Sequence, residues 1–345
     1  MKRSAAFVSM LIILLTLMSA CGQTGKAPVK SKTAEQNESK KISIVCTIFP
    51  AYDWVKQIIG GQEDRFEVFL LPGGRADLHN YQPTVDDVVK ISTCDMFIFV
   101  GGESEKWVGD ILRQAVNKKM IVVSLIDILR SSIGDEQLLR LNNVGKNNEN
   151  GRTPEHSHDD AHEDEDSEID EHVWLSVKNT SLFCREIANG ISSLDTDNAE
   201  KYMINHEGYD KRLSDLDKEY QAVVTGASVK TLLFCGRFPF IWLAADYGLD
   251  HYAAFPGCSA ETEASFSTII FLAGKIDELG LKTVIETEND SQSLARTIIS
   301  NTKGKNQKVL VLDSIQSATP ADYNNGISYL SIMESNLNVL KEALK

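Results

Sequence analysis

The sequence predicts an α/β protein of two lobes, each a mainly parallel sheet flanked by helices, with one long backbone helix joining them. Three observations carry this prediction. Short β-rich apolar runs alternate with helical periods from Ile42 onward, an uninterrupted helical stripe occupies residues 195–224, and the alternation then resumes to the C-terminus. With 345 residues in all, the chain is long enough for two lobes that each bury a core.

In the first lobe, residues 42–48, 66–71, 96–100 and 120–125 read as strands, and residues 52–59, 85–91 and 107–115 as helices. Farther on, Phe183, Ile187 and Ile191 stand at i, i+4 and i+8, the spacing of an amphipathic helix. Residues 195–224 place Tyr202, Tyr209, Leu213, Leu216 and Tyr220 at steps of seven, four, three and four. At ~1.5 Å per residue this is a helix of ~45 Å, suited to a strut between lobes, with a coiled-coil partner helix as the alternative. The second lobe is read as strands at 232–235, 283–286 and 309–312 and helices near 238–247, 265–279, 291–299 and 329–344. Ligands of open α/β sheets collect beyond the carboxyl ends of strands, so the residues there are the ones to inspect.

The organisation before residue 42 concerns location. Lys2 and Arg3 precede an uncharged stretch to Ala20, and Met18-Ser19-Ala20-Cys21-Gly22 has the form of a lipobox. Residues 1–20 are read as a signal peptide because the apolar run falls short of the ~20 residues of a comfortable bilayer span; a retained transmembrane helix is the alternative. Diacylation of Cys21 gives the two chains that stable anchoring needs. Residues 21–41 then form the lipidated cysteine and a polar, flexible tether. The folded part, residues 42–194 and 225–345 on either side of the linking helix, is expected on the extracytoplasmic face of the cell membrane.

Within the first lobe, residues 145–171 are read as an acidic, His-rich loop. Ten of the seventeen residues 155–171 are Asp or Glu, interspersed with His156, His158 and His162, and this tract runs directly into His172. Imidazole and carboxylate groups so dispersed can capture a cation without a fixed backbone, although a solvated acidic loop has the same composition. The formal net charge of −14 argues against nucleic acid as a partner. Of six cysteines, Cys21 is assigned to the lipobox; the rest have no short paired spacing, so neither a disulfide framework nor a CxxC site is indicated. Cys46, Cys94 and Cys184 lie among apolar neighbours and are expected to be buried.

The strings DLHNYQPT (77–84), DEHVWLS (170–176), RFPFIWLAADYGL (237–249), GCSAETEAS (257–265) and VLVLDS (309–314), with the long helix between them, occur in an informative order. In this the chain resembles the zinc- and manganese-type solute-binding lipoproteins of metal ABC importers, zinc-uptake branch. The resemblance covers residues 42 to the C-terminus. It implies two α/β lobes with a transition-metal site in the cleft and delivery of the metal to an ABC transporter permease, by a protein expected to be a monomer. It also implies His79 and His172 as first-lobe ligands and Asp313 as a second-lobe carboxylate ligand. Two imidazoles and the His-acid loop favour Zn2+ over the alternatives Mn2+ and Fe2+. His206 and His251 lie outside these motifs and are read as structural or surface residues.

One position departs from the family pattern. Arg237 stands where a third ligand, His or Glu, is common; its guanidinium has no lone pair and cannot coordinate a cation. Cys235, Glu261 and Glu263 are the candidates to complete the shell. No GxSxG, HExxH, GxGxxG or P-loop string is present. An enzyme is therefore not expected. A surface metallohydrolase, with Glu103 or Glu105 as general base, is the alternative from another class, and adhesion is a further role the sequence does not separate from uptake.

Overall fold

The computed structural model describes residues 40–71, 78–136, 138, 140, 169–259 and 263–345. Residues 1–39, which hold the expected leader, Cys21 and most of the expected tether, and the histidines His156, His158 and His162 lie outside the described residues.

The first lobe is a four-stranded sheet of β1 (Ile42–Cys46), β2 (Phe66–Leu70), β3 (Met96–Phe99) and β4 (Ile121–Ser124) in the order β2-β1-β3-β4. Every pairing is parallel, with Ile44 opposite both Val68 and Met96. Helices α1 (Phe49–Ile58), α2 (Val85–Thr93), α3 (Trp107–Gln114), α4 (Leu125–Ile133) and α5 (Val177–Leu194) accompany it. The second lobe repeats the plan: β5 (Thr231–Phe238), β6 (Asp250–Pro256), β7 (Thr283–Thr287) and β8 (Lys308–Leu312) form a parallel sheet in the order β6-β5-β7-β8. In both sheets the strand order reverses beside the first strand. The loops beyond the strands' carboxyl ends diverge there and leave a crevice, the usual ligand position of this architecture.

Between the lobes runs α6 (Ala199–Gly226), with α7 (Ile241–Tyr247), α8 (Phe266–Leu279), α9 (Ser293–Ser300), α10 (Pro320–Asn324) and α11 (Tyr329–Ala343) following. Its buried residues, Tyr202, His206, Tyr209, Leu213, Leu216, Tyr220 and Val224, fall on one stripe by their steps of three and four. Near one end the Tyr202 ring meets Phe66 of the first lobe edge-on at 5.7 Å. Near the other, the Tyr220 hydroxyl donates to the Met333 carbonyl at 2.6 Å and its ring stacks on Tyr247. A single hydrophobic cluster accordingly runs from Ile44 through Trp54, Phe183 and Tyr202 to Phe234, Tyr329 and Leu340. The strut belongs to the core of both lobes and does not stand alone as a coiled-coil strand.

The structure corrects the sequence reading in local ways. The long helix starts at Ala199, after a break at Asp195, whose carboxylate accepts two hydrogen bonds from Arg65 and one from Tyr202. The apolar run at 120–125 stops as a strand at Ser124 because the Ser124 hydroxyl accepts the Asp127 N–H and caps α4. Strand β6 is an addition; it is an edge strand whose apolar run, Tyr252 to Phe255, is short and weakened by two alanines, with exposed residues at both ends. The helix read from residue 238 begins only at Ile241, and Arg237 and Phe238 are strand residues paired with Phe255 and Pro256.

Candidate metal centre

His79 sits on a 3-10 turn, Leu78–Asn80, beyond the end of β2, with Leu78 buried as its anchor. Downstream the chain is fixed by the Thr84–Asp87 capping box of α2, which also ties in the Tyr81 hydroxyl. The His79 Nδ1 lies 2.8 Å from the Ser104 hydroxyl and 3.4 Å from Glu171 Oε2. With an ionised carboxylate beside it, Nδ1 carries the proton, and the lone pair is left on Nε2.

His172 is fully buried. Asp170 Oδ1 accepts its backbone N–H at 2.9 Å and lies 2.9 Å from its Nδ1, so the same carboxylate fixes the turn and the tautomer. The turn is tied to the second lobe by two indoles, one from each side. Trp242 Nε1 donates to the Asp170 carbonyl at 2.9 Å, and Trp174 Nε1 donates to the Ser314 carbonyl at 2.9 Å. His172 is thus fixed at the junction of the lobes.

These constraints bring the two Nε2 atoms to 3.4 Å from each other. Two imidazoles bound to one tetrahedral ion at ~2.0 to 2.1 Å hold their nitrogens ~3.4 Å apart, so the pair has the separation such an ion requires. A third donor completes the group: ligating atoms of His79, His172 and Cys258 all lie within 4.8 Å of one another. Cys258 follows β6 directly after Gly257. Its Sγ is 3.8 Å from Asp170 Oδ2 and 4.0 Å from His172 Nδ1. The chain before it is wedged between the first-lobe turn and β5: a Cβ on Gly257 would lie 2.7 Å from Asp170 Oδ2 and 2.8 Å from the Phe238 carbonyl.

Behind His79 lie two buried acids. Burial works to raise the Glu171 carboxyl, but hydrogen bonds from His79 and Ser104 outweigh it and hold it below the usual carboxylate range. The Ser104 N–H donates to Glu171 Oε1 at 2.7 Å. Glu105 is pushed up to about 7, chiefly by burial and further by the neighbouring Glu171 charge. Its Oε2 accepts the Gly101 N–H at 2.7 Å. The adjoining Gly102, at φ 96°, approaches Glu171 so closely that a Cβ would meet Oε1 at 2.6 Å.

The remaining sequence candidates are spread more widely. Asp313 does follow β8, but it is not in the three-donor group. Its Oδ1 accepts the Ile315 N–H at 2.7 Å, and it lines a cavity of about 590 Å3 with Glu288, Ser317 and Ser331. Burial and the Glu288 charge push its carboxyl up to about 6. Cys235 is fully buried in a separate apolar cluster with Leu233, Leu272 and Val284, and its thiol is pushed far up by burial and by Glu286 and Asp290. That withdraws it as a thiolate donor. Glu263 is exposed, and Glu261 lies outside the described residues. Arg237 is half-buried within β5, one strand over from the segment that delivers Cys258. His206 and His251 are buried, the latter stacked on Phe238 at 3.7 Å between ring centres. The bases a metallohydrolase would require are occupied otherwise: Glu103 pairs with Lys106, and Glu105 turns to the Gly101 amide. Cys46, Cys94 and Cys184 are buried, as their apolar neighbours predict.

Cys258 is hidden in the sequence because β6 reads as a loop, so the residue at its carboxyl end looks like a turn position.

The sequence profile of a family described as zinc-uptake complex component A, periplasmic (ZnuA), matches residues 44–343. The zinc-binding lipoprotein AdcA of Streptococcus pneumoniae is 31% identical over 330 residues, 96% of this chain and 60% of that protein. The high-affinity zinc uptake system protein ZnuA of Bacillus subtilis is 28% identical over 346 residues, 99% of this chain and 98% of its own length. Among solved structures, the Zn(II)-bound ZnuA-like domain of the pneumococcal AdcA aligns with a TM-score of 0.67 at 28% identity, covering 88% of this chain and 99% of that domain. The chain spans 56 to 60% of the length of the streptococcal relatives.

Proposed function

This chain belongs to the zinc-uptake complex component A family, and on that premise we propose that it is the extracytoplasmic receptor of a metal importer. It captures Zn2+ where the lobes meet and delivers it to an ABC permease, and it performs no covalent chemistry. The lipobox at Cys21 tethers it to the membrane, and the loop histidines His156, His158 and His162 gather metal nearby.

The observation that carries this reading is the 3.4 Å separation of the His79 and His172 Nε2 atoms, each ring held through its other nitrogen. A metal-ligating histidine is oriented by a partner on its second ring nitrogen, and Asp170, with Ser104 and Glu171, fills that role here. The two carboxylates also place negative charge behind the rings, which offsets part of the charge of a dication in a site with little access to water. Imidazole donors favour a borderline cation over hard ones such as Mn2+, which prefer carboxylate, carbonyl and water oxygens. Asp313, on the second-lobe side, is the carboxylate the family resemblance assigns to the shell.

The test is elemental analysis of residues 22–345, the chain without its anchor, after exposure to equal concentrations of Zn2+, Mn2+ and Fe2+. Zinc retained near one per chain supports the reading. Retention of manganese or iron in its place overturns the metal assigned, and retention of none overturns the receptor.

A further inference from the structure

We propose that Cys258 is a ligand of the metal, bound as thiolate, and that it supplies from β6 the donor that Arg237 cannot supply from the neighbouring β5. The inference rests on the metal-receptor reading above and deepens it. It makes the centre a His2Cys site in its first three donors, softer than a shell of nitrogen and oxygen alone.

Three independent features support it. The first is proximity: the thiol belongs to the only group of three donors assembled among the described residues, together with the two histidines. The second is placement. Cys258 lies just beyond the carboxyl end of a parallel strand, at the edge of the crevice, and it is the only described cysteine that is not buried. Cys46, Cys94, Cys184 and Cys235 are core residues by comparison. The third is the backbone that carries it. Gly257 runs against Asp170 and Phe238 with no room for a side chain, so the residue after it is pressed onto the turn that holds His172. A loop that served only to connect β6 with α8 has no need of that approach.

The Asp170 carboxylate joins the two donors. One oxygen holds His172 Nδ1, and the other lies 3.8 Å from the thiol. On capture the thiol releases its proton to solvent and a sulfur–metal bond forms, with no change of oxidation state. A tetrahedral ion with Zn–S near ~2.3 Å places sulfur ~3.6 Å from each nitrogen; Sγ stands 4.0 Å from His172 Nδ1, beside Asp170, so capture carries it around the ring edge toward Nε2. Thiolate shifts preference toward Zn2+ and softer ions and away from Mn2+.

Cobalt substitution reads the donor directly. The chain without its anchor, loaded with one equivalent of Co2+, should show a thiolate-to-cobalt charge-transfer band in the near ultraviolet, together with visible d–d absorption of tetrahedral strength. Cys258→Ser should abolish the charge-transfer band while keeping the visible absorption, and should weaken Zn2+ binding by ~100-fold or more, since even the loss of an outer partner costs 10 to 100-fold. Gly257→Ala, which displaces the loop while removing no donor group, should weaken the band. As a second measurement, one equivalent of Zn2+ should protect Cys258 from iodoacetamide, followed by peptide mass spectrometry. Visible absorption without a charge-transfer band, a band unaltered by Cys258→Ser, or alkylation at an unchanged rate would each overturn the thiolate while leaving the receptor intact. Failure of the parent chain to bind either metal would overturn the receptor reading and this inference with it.

Discussion

The Nε2 atoms of His79 and His172 lie 3.4 Å apart although the residues are 93 positions apart in sequence. Ser104, Glu171 and Asp170 hold the far sides of both rings and fix this approach. On the proposed function, the pair is preorganised for a cation that both rings bind. Ordering the ligands before capture removes an entropic cost from binding.

The Asp170 carboxylate is therefore expected to control affinity without touching the metal. Asp170→Asn keeps the shape of the side chain and removes its charge, and zinc affinity should fall by ~10 to 100-fold. Competition against a chromogenic chelator measures this, with far-ultraviolet circular dichroism to verify the fold. Affinity equal to the parent's would mean that Asp170 serves only to fix the turn.

Glu105 gives a pH-dependent stability of defined sign. Its carboxyl is raised from 4.5 to about 7 by burial, with a smaller contribution from Glu171, so the folded chain holds a proton that the unfolded chain releases. Stability associated with this group is full below the unfolded value and is lost as pH rises through about 7. The cost at pH 8 is at most ~3 kcal/mol, which for a chain of this size is a shift of several degrees in melting temperature. Glu105→Gln should melt higher than the parent at pH 8 and converge with it near pH 5. A variant that melts lower at both pH values would show that the carboxylate is needed in its charged form.

Deletion of residues 155–169 should leave the tight site in place and remove additional weak zinc binding. The deletion retains Asp170, which holds His172. A tract dominated by Asp, Glu and His has to be ordered at each capture, so its affinity lies well below that of a preformed pocket. Zinc titration in the presence of a chelator separates the two classes. Loss of the tight class would mean that His156, His158 or His162 enters the main site.

Much of the fold was legible because the central strands of both sheets are nearly continuous apolar runs, as parallel strands covered on both faces must be. The stripe of Tyr202, Tyr209, Leu213, Leu216 and Tyr220 disclosed α6 in the same way. What escaped was the part of the pattern that burial does not enforce. Strand β6 lies at the sheet edge, opening with exposed Asp250 and closing with exposed Pro256 ahead of Gly257, and these ends resemble a loop. That omission concealed Cys258, which in sequence looks like a turn residue between Gly257 and Ser259. His79 and His172 were visible through their motifs, and Arg237 as a departure from one. The convergence of the two histidines on one point was not visible, since it depends on how β2 and the turn before α5 are brought together in space. Cys235 shows the reverse error: a thiol two residues from the anomalous Arg237 faces the core and not the crevice.

The most direct test of the central claim is isothermal titration of zinc into the chain without its anchor and into the double variant His79→Ala, His172→Ala, both with a competing chelator. The parent should bind close to one zinc tightly, and the double variant should lose that event, because the donors left to it are too few for a closed tetrahedral site. Tight binding of equal strength in the double variant would contradict the assignment of the centre.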